Sequence, residues 1–243
     1  VQLTTQLIGY PDRGRWLDNE IEKDLATRGL INEIRREEGS TLVFCGSKNK
    51  VRRTAGSIAA VAETEEDSFV QNLAQQKVGI HYRGVPRERD TLASFRAREI
   101  EVLVATSTLA QGVNLPARAV FIRDTTLGLD SEISVGDVQQ MAGRAGRVGL
   151  ENEGFAFFLV PEHKLAFWRN RLCEGYFVKS HLASSVADHV LAEIHRKSIQ
   201  SVDTLREWFA GTFAAYQGEL TQEESNEVLD SALELLITSR MVT

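Results

Sequence analysis

Long apolar runs and cysteines are scarce in this sequence of 243 residues, and positive charge is not in excess. The longest uninterrupted apolar run is Phe155–Val160, far short of the roughly 18–20 residues that span a bilayer. No signal-peptide pattern opens the chain. The two cysteines, Cys45 and Cys173, make no disulfide framework, so we expect a reducing compartment, cytoplasmic or, in a eukaryote, nuclear. The composition, 42% hydrophobic and 26% charged, excludes collagen-like, low-complexity and wholly disordered chains.

Several kinds of site lack the residues that they need. The five histidines show no paired metal-ligand spacing and the cysteines lie far apart, so no metal site is predicted. The serines and histidines fall in no nucleophile-elbow pattern, which argues against that kind of nucleophilic site. A net charge of −6 argues against a protein that coats nucleic acid by bulk charge, although arginines bunch in short stretches that can form local basic sites.

Short β-branched runs alternate with helical patterns between Thr41 and Val160, which predicts an α/β domain with a doubly wound parallel sheet. Several runs are continuously apolar, as strands buried on both faces of such a sheet must be. A sheet of this class binds ligands at the carboxyl ends of its strands. The predicted strands are Thr41–Cys45, Lys77–Ile80, Val102–Ala105, Ala119–Ile122 and Phe155–Val160. The predicted helices are Asn19–Arg36, Lys48–Val61, Ser68–Gln76, Arg87–Ala97 and Asp137–Arg147.

The chain has a purely helical pattern after about Arg171. Apolar side chains recur at helical spacing in three stripes, of which the second begins with Ser201 as an N-cap and the third with the capping box Thr221–Glu224. We expect a small bundle or the helical part of a winged helix, which stops where a wing hairpin would begin. The predicted domains are residues 1–172 and residues 173–243.

The segment Gln140–Arg147, with the sequence QMAGRAGR, is the first of three candidate site segments. On an uninterrupted helix at about 100° per residue, Gln140, Arg144 and Arg147 share one face and apolar residues occupy the other. Two guanidinium groups on such a stripe suit the negative charge of a transferring phosphoryl group. A solvated basic face is the alternative, but it does not explain two glycines that each cost a helix about 1 kcal/mol relative to alanine.

An apolar strand pattern runs directly into three hydroxyl residues, Thr106, Ser107 and Thr108. Hydroxyl groups and exposed backbone N–H groups at a carboxyl strand end can hold phosphate oxygens. Gly112 and Asn114 follow, and both residue types tolerate backbone angles that allow close approach to a nucleotide. Hydroxyl residues that only cap a helix are also common at strand ends, so this segment alone does not distinguish a phosphate site from a helix cap.

Basic residues cluster after two other predicted strands. His81–Arg89 follows one strand and contains Arg83 and Gly84 with an interleaved tyrosine, while Ser47 and Lys48 follow another strand. Basic side chains beside an aromatic ring suit a nucleic-acid backbone and a stacked base. Taken singly, each cluster has the alternative interpretation of a solvated loop.

Taken together, these segments resemble, in order and spacing, the C-terminal motor half of superfamily-two helicases, in the superkiller-type DExH branch that includes archaeal repair helicases. Gln140–Arg147 matches helicase motif VI (Q-x-x-G-R-A-G-R) without a gap, and Ala105–Pro116 matches motif V of that branch. Leu42–Lys48 resembles motif IV, and His81–Gly84 resembles the H-H-x-G element with Tyr82 in place of the second histidine. The resemblance implies a RecA-like lobe followed by a truncated winged-helix-like domain.

The resemblance also implies a role for each candidate residue. Arg144 and Arg147 would be arginine fingers that face the γ-phosphate of ATP, and Gln140 would line the same cleft. Further nucleotide contacts would come from Gly112, Asn114 and Gly143. One translocating single strand, of DNA or RNA, would be gripped by Ser47, Lys48, Arg83, Gly84, Thr106 and Thr108.

Half of an ATP site is missing from the sequence. No glycine is followed by lysine, so there is no G-x-x-x-x-G-K-[ST] phosphate loop, and no aspartate is followed by glutamate, so no D-E-x-x box can place Mg²⁺. We therefore expect a part of a longer helicase whose N-terminal RecA-like lobe supplies the phosphate loop and the Mg²⁺ ligands, and we expect the isolated chain to be inactive. Two alternatives stay open: an interaction module without motor activity, and a double-strand translocase that does not unwind.

Overall fold

The computed structural model describes residues 2–36, 39–112, 115–127, 131–146, 153–218 and 220–242. The chain divides into two compact units, Val1–Tyr176 and Phe177–Thr243. The first unit contains a parallel sheet flanked by helices, and the described residues of the second form helices without strands. The predicted fold class, an α/β lobe followed by a small helical domain, is confirmed. Every helix in the described ranges is too short or too polar to cross a membrane.

The sheet of the first unit is entirely parallel. The strands in the described ranges are β1 (Gln2–Tyr10), β2 (Thr41–Cys45), β3 (Val78–His81), β4 (Val102–Thr106), β5 (Ala119–Ile122), β6 (Thr126–Leu127), β7 (Ser131–Glu132) and β8 (Glu153–Pro161). Six of them form the sheet in the spatial order β1-β8-β5-β2-β4-β3, while β6 and β7 form a separate antiparallel pair. Non-sequential neighbours require crossover connections, which the helices provide.

Helices connect the strands and make up the second unit. Those of the first unit are α1 (Trp16–Arg36), α2 (Lys48–Ala59), α3 (Glu66–Gln75), α4 (Glu88–Arg96), α5 (Thr108–Gly112), α6 (Val135–Ala142) and α7 (Leu165–Glu174). Those of the second unit are α8 (Val186–His195), α9 (Val202–Ala210), α10 (Phe213–Gln217) and α11 (Gln222–Thr238).

Two apolar cores lie on opposite faces of the sheet. On one face α1, α2 and α3 pack over a core that includes Ile31, Val43 and Phe69. On the other face α4, α5 and α6 pack over a core that includes Leu103 and Met141. The central strands β2, β4 and β5 are buried along nearly their whole length, which explains their continuous apolar sequences.

The five predicted strands are confirmed, with ends that differ by at most two residues from the predicted ones. The edge strand β1 was not predicted, because its sequence mixes polar and apolar residues and most of its side chains stay at least partly exposed. The short helix α5 and the helix α7 were not predicted either. α5 has five residues, too few for a helical period to show.

The second unit packs α8, α9 and α11 around a core that includes Val190, Phe209 and Leu229. The predicted starts of two helices are confirmed, because Ser201 caps α9 and Thr221 caps α11, each in a capping box. The second predicted stripe, which runs from Val202 to Phe213, is divided, because α9 ends at Ala210 and Phe213 lies in α10 with an exposed ring. The likeness to a winged helix stays a prediction.

Candidate functional site

Three candidate loops lie at one edge of the sheet. They follow β2, β4 and β3, which are neighbours in the sheet, and the ends of these strands are in register, with Cys45 opposite Thr106 and His81 opposite Ala105. The carboxyl ends of parallel strands meet at the same edge. The sheet therefore brings together all six residues of the predicted strand grip: Ser47, Lys48, Arg83, Gly84, Thr106 and Thr108.

The loop after β2 is held at both of its ends. The Gly46 N–H donates to Asp124 Oδ2 at 2.9 Å, and the Ser47 side chain caps α2 by accepting from the Lys50 N–H at 3.4 Å. Ser47 is partly buried and Lys48, the first residue of α2, is exposed. The cap explains why α2 begins where it does. It also shows that the Ser47 hydroxyl has a structural partner.

A buried cluster of charges lies behind this loop, formed by α1 and by the two residues that follow β5. Arg123 is fully buried and donates to Asp24 Oδ1 at 2.7 Å and to Glu20 Oε2 at 2.9 Å. Asp124 Oδ1 accepts from Lys23 Nζ at 2.9 Å and from Arg123 Nη1 at 3.1 Å. Lys50 of α2 adds a third cation beside the same carboxylate, at 3.2 Å. Buried charges persist in proteins only when they are paired in this way.

The neighbours of Asp124 determine its ionisation. Burial by itself raises the pKa of this carboxyl, but Arg123, Lys23 and Lys50 outweigh burial and hold the pKa below its ordinary value. Glu20 is affected in the same way, because burial opposes and Arg123 and Lys23 favour its charged form, so its pKa is lowered. Asp124 and Glu20 are therefore ionised at neutral pH, and Asp124 holds the loop after β2 through the Gly46 N–H.

The sequence pattern did not indicate this cluster. Charged residues on a helix normally mark its solvated face, and α1 is unusual in burying Glu20, Lys23 and Asp24. One signal was available: Lys23 and Asp24 lie three and four positions after Glu20, and an arginine and an aspartate directly follow an apolar strand. That pattern is consistent with a buried polar stripe facing the end of a strand.

The loop after β3 exposes its basic residue. Tyr82 and Val85 are buried, the Val85 N–H donates to the Tyr82 carbonyl at 3.0 Å, and the turn between them leaves Arg83 and Gly84 exposed at its tip. The His81 imidazole is buried and lies 3.0 Å from Glu88 Oε1. The buried residues Tyr82 and Val85 thus hold the turn so that the Arg83 guanidinium group is exposed to solvent at the carboxyl edge.

The loop after β4 leads directly into α5. The Thr106 and Thr108 hydroxyl groups lie 2.9 Å apart, and Thr108 is the first residue of the helix. Thr108 is exposed and Thr106 is partly exposed. α5 ends at Gly112, and Asn114 lies outside the described residues. The strand end and the hydroxyl residues lie as the sequence predicted.

The predicted helix over Asp137–Arg147 is wrong at its end. α6 ends at Ala142, and the Gly143 N–H closes its last turn on the Gln139 carbonyl. Gly146 has a φ of +87°, which glycine adopts readily and which a helix excludes.

Arg144 therefore does not continue the helical face of Gln140. Arg147, the third residue of the predicted face, lies outside the described residues. Neither of the glycines that seemed costly lies within the helix, because Gly143 follows its last residue and Gly146 lies in the segment beyond it.

Backbone contacts hold the segment that follows α6. The Ala117 N–H donates to the Arg144 carbonyl at 3.0 Å, and the Gly146 N–H donates to the Ala117 carbonyl at 2.7 Å. Gly154, in β8, packs so closely that a Cβ on it would lie 2.5 Å from the Gly146 nitrogen. Ala117 precedes the first residue of β5, so this segment lies near the amino ends of the strands and not at their carboxyl edge.

The Arg144 side chain extends from this segment back to α5. Its Nη2 donates to the Ala110 carbonyl, and the residue is partly buried. Gln140 is exposed on α6, and Gly143 is exposed immediately after that helix. One guanidinium group thus joins the segment after α6 to the helix that begins at Thr108.

The first unit is a RecA-like lobe. It has a doubly wound parallel sheet, three polar loops at the carboxyl edge of that sheet, and an arginine, Arg144, that contacts α5. The model of the helicase conserved C-terminal domain matches residues 25–149 of the chain. The chain belongs to that family and is a C-terminal region of a superfamily-two helicase of the superkiller-type (Ski2-like) branch.

Relatives from several organisms support this assignment. The chain is 34% identical over 161 residues, 64% of its length, to an activating signal cointegrator 1 complex subunit 3-like protein of Dictyostelium discoideum. It is 30% identical over 231 residues, 88% of its length, to the ATP-dependent DNA helicase MER3 of Saccharomyces cerevisiae. It is 32% identical over 162 residues, 60% of its length, to the ATP-dependent DNA helicase Hel308 of Thermoplasma acidophilum. The matches span 7%, 19% and 24% of these three proteins, respectively.

Proposed function

We propose that this chain is the C-terminal motor lobe of an ATP-dependent helicase that moves along one nucleic-acid strand. The observation that carries the proposal is the contact between Arg144 and the Ala110 carbonyl. It joins a guanidinium suited to a nucleotide phosphate to α5, whose first residue Thr108 is part of the proposed strand grip. A change at the nucleotide thereby reaches the strand through one helix.

The carboxyl edge of the sheet grips the strand. Arg83 and Lys48 supply positive charge, and the hydroxyl groups of Thr106, Thr108 and Ser47 together with the Gly84 backbone supply polar contacts. Phosphate and sugar contacts of this kind position a strand without reading its sequence. A motor that steps along any sequence needs contacts of this kind.

ATP is the nucleotide we propose, and Arg144 is the described residue best suited to its phosphates. A guanidinium is always charged and binds phosphate oxygens in a planar, two-pronged geometry. We place Arg147, Gln140, Gly143, Gly112 and Asn114 around the same nucleotide. When ATP binds, Mg²⁺ supplies charge neutralisation between its phosphates.

The phosphate loop and the Mg²⁺ ligands come, in this proposal, from a second RecA-like lobe. Glycine is never followed by lysine in this chain, and aspartate is never followed by glutamate, so neither motif can be formed from it. ATP closes the two lobes by bridging them, and hydrolysis opens them again. The alternating grip on the backbone turns each cycle into a step along the strand.

DNA is the substrate that we propose for this motor, because two relatives are named as DNA helicases. Strand displacement on a DNA duplex and on an RNA duplex, measured with the same two-lobed protein, separates the two substrates. Displacement of a triplex strand without unwinding of either duplex would indicate a double-strand translocase instead.

The nucleotide half of the proposal is tested by substitution of either proposed finger. In a protein that carries both lobes, we expect Arg144→Ala or Arg147→Ala to lower kcat for ATP hydrolysis about 10³-fold or more, as loss of an arginine finger does. Arg206, exposed on α9, provides a matched Arg→Ala control that leaves kcat unchanged. An Arg144→Ala protein with wild-type kcat would remove this residue from the site.

The isolated chain tests whether this lobe contains only half of the ATP site. We expect it to bind ATP weakly and to show no detectable hydrolysis, because the phosphate loop is absent. Hydrolysis by the purified chain that disappears in the Arg144→Ala variant would show that this lobe forms a complete site.

A further inference from the structure

Tyr82 occupies the position at which the related element has its second histidine, and it is inaccessible to a passing strand. The residue is 2% exposed, and its hydroxyl donates to Glu66 Oε1 at 2.5 Å. Glu66 is the first residue of α3, so the hydroxyl ties the end of β3 to the start of that helix. Because Tyr82 cannot contact the strand itself, any contribution that it makes to strand binding must act through a neighbouring residue.

That neighbour is Lys48. Its ammonium lies 4.5 Å from the centroid of the Tyr82 ring and 3.8 Å from Glu66 Oε1, and half of its side chain remains exposed. An ammonium over an aromatic face is attracted by the ring quadrupole and keeps its other donors free. Lys48 is also the first residue after the capped loop at the end of β2. The cation is therefore held at the carboxyl edge by a ring in the loop that follows β3.

The ring and the carboxylate are themselves fixed by Arg52. Its Nη1 lies 3.4 Å from the Tyr82 hydroxyl and 3.6 Å from Glu66 Oε1, and its guanidinium lies 4.8 Å from the centroid of the Phe69 ring. The hydrogen bond from the Tyr82 hydroxyl lowers the pKa of Glu66, and Lys48 and Arg52 act in the same direction. Glu66 is accordingly charged at neutral pH.

We propose that Tyr82 is a positioning residue that orients the Lys48 ammonium toward a backbone phosphate of the bound strand. The inference deepens the proposed function and rests on it. A lysine side chain is long and flexible, and binding normally costs the loss of its rotamer freedom. Holding the ammonium over a buried ring removes part of that cost before the strand arrives. Lys48 makes the phosphate contact, and Tyr82 lowers the cost of that contact by holding the ammonium in place.

A double-mutant cycle on strand affinity tests the inference. Binding of labelled oligothymidylate and oligouridylate is measured across a range of salt for the wild type, Lys48→Ala, Tyr82→Leu and the double variant. We expect Lys48→Ala to raise Kd severalfold and to reduce the salt slope by about 0.7, the value for one lost phosphate contact on a single strand. We expect Tyr82→Leu to raise Kd and to reduce the salt slope by part of these amounts. In the Tyr82→Leu background, Lys48→Ala should raise Kd further by less than a factor of about two.

Each outcome decides a different point. Independent, multiplicative effects of the two substitutions would overturn the positioning role and leave Lys48 in the grip. A Lys48→Ala protein with wild-type Kd and salt slope would overturn both the place of Lys48 in the proposed grip and this inference. A purely structural role of Tyr82 predicts weaker binding with an unchanged effect of Lys48→Ala. Tyr82→Phe keeps the ring, so Lys48→Ala must have its full effect in that background.

A second measurement does not depend on whether Tyr82→Leu folds. In the wild-type protein, the Tyr82 ring current must shift the nuclear magnetic resonance signals of the Lys48 ε-methylene protons upfield. Addition of the oligonucleotide must perturb those signals and leave the Tyr82 ring signals near their free positions. Unshifted Lys48 signals in the free protein would overturn the inference.

Discussion

The loop after β2 and the segment after α6 are held in place by different physical means. The first is tied through Asp124 to a buried cluster of charges, and the second by backbone hydrogen bonds to Ala117 and by close packing against Gly154. Electrostatics therefore fixes the loop after β2, one of the three loops of the proposed strand grip, whereas backbone pairing and close packing fix the segment that carries Arg144. The first region should be sensitive to charge and pH, and the second to added volume.

The largest effect should come from breaking the charged cluster. We expect Asp124→Asn to lower the free energy of unfolding of the first unit by about 3–5 kcal/mol, because it leaves Arg123 and Lys23 buried without their common carboxylate. Urea titration of the variant measures this. Asp67→Asn, at an exposed position in the first turn of α3, is the matched control and should change stability little.

Acid should weaken the same region. The pKa of Asp124 is held below its ordinary value in the folded protein. Its stabilising contribution is therefore complete above the ordinary carboxyl pKa of about 4 and is lost as the pH falls toward the folded pKa. Asp124→Asn should remove part of the acid sensitivity of the wild type. An identical pH dependence of unfolding in the two proteins would mean that the cluster does not control acid stability.

The segment after α6 should respond to volume. A Cβ on Gly154 would lie 2.5 Å from the Gly146 nitrogen and 2.6 Å from the Ala145 carbonyl carbon, and these are backbone atoms that cannot easily move. We expect Gly154→Ala to cost about 1–3 kcal/mol of unfolding free energy, as overpacking does. The loss should be independent of pH between neutral and mildly acidic solution, unlike that caused by Asp124→Asn.

Gly29 provides a control of opposite sign for the same substitution. It lies within α1 with open space around it, so Gly29→Ala should stabilise the helix by up to about 1 kcal/mol. Equal effects of Gly154→Ala and Gly29→Ala would show that close packing against Gly146 is unimportant.

The difference between the two regions also explains what the sequence could predict. Central strands buried on both faces have continuous apolar sequences, and hydroxyl or basic residues that directly follow them must lie at the carboxyl edge. The loops that contain Ser47 and Arg83, and the strand end at Thr106, were predictable for this reason. The caps at Ser201 and Thr221 were predictable because a capping box is a local interaction.

Tertiary contacts explain what the sequence could not predict. The apolar pattern of α6 continues past Ala142, and the only local sign that the helix ends there is the glycine that follows, Gly143. The end depends on the pairing of the following segment with Ala117, which lies more than twenty residues earlier in the chain. The burial of the charged stripe of α1 was not predicted either, because only the fold brings Glu20 and Asp24 to Arg123.

The smallest effect is expected at the Ser47 hydroxyl group. Ser47 caps α2 and is also a proposed phosphate contact, so the two roles must be separated. Ser47→Ala should cost about 1 kcal/mol of unfolding free energy, whereas Ser47→Gly, which also lacks the hydroxyl, should cost only a few tenths. If the hydroxyl binds the strand, both variants must bind an oligonucleotide more weakly by the same factor despite their different stabilities. Binding that weakens only in Ser47→Ala, in step with stability, would assign the hydroxyl to the cap alone.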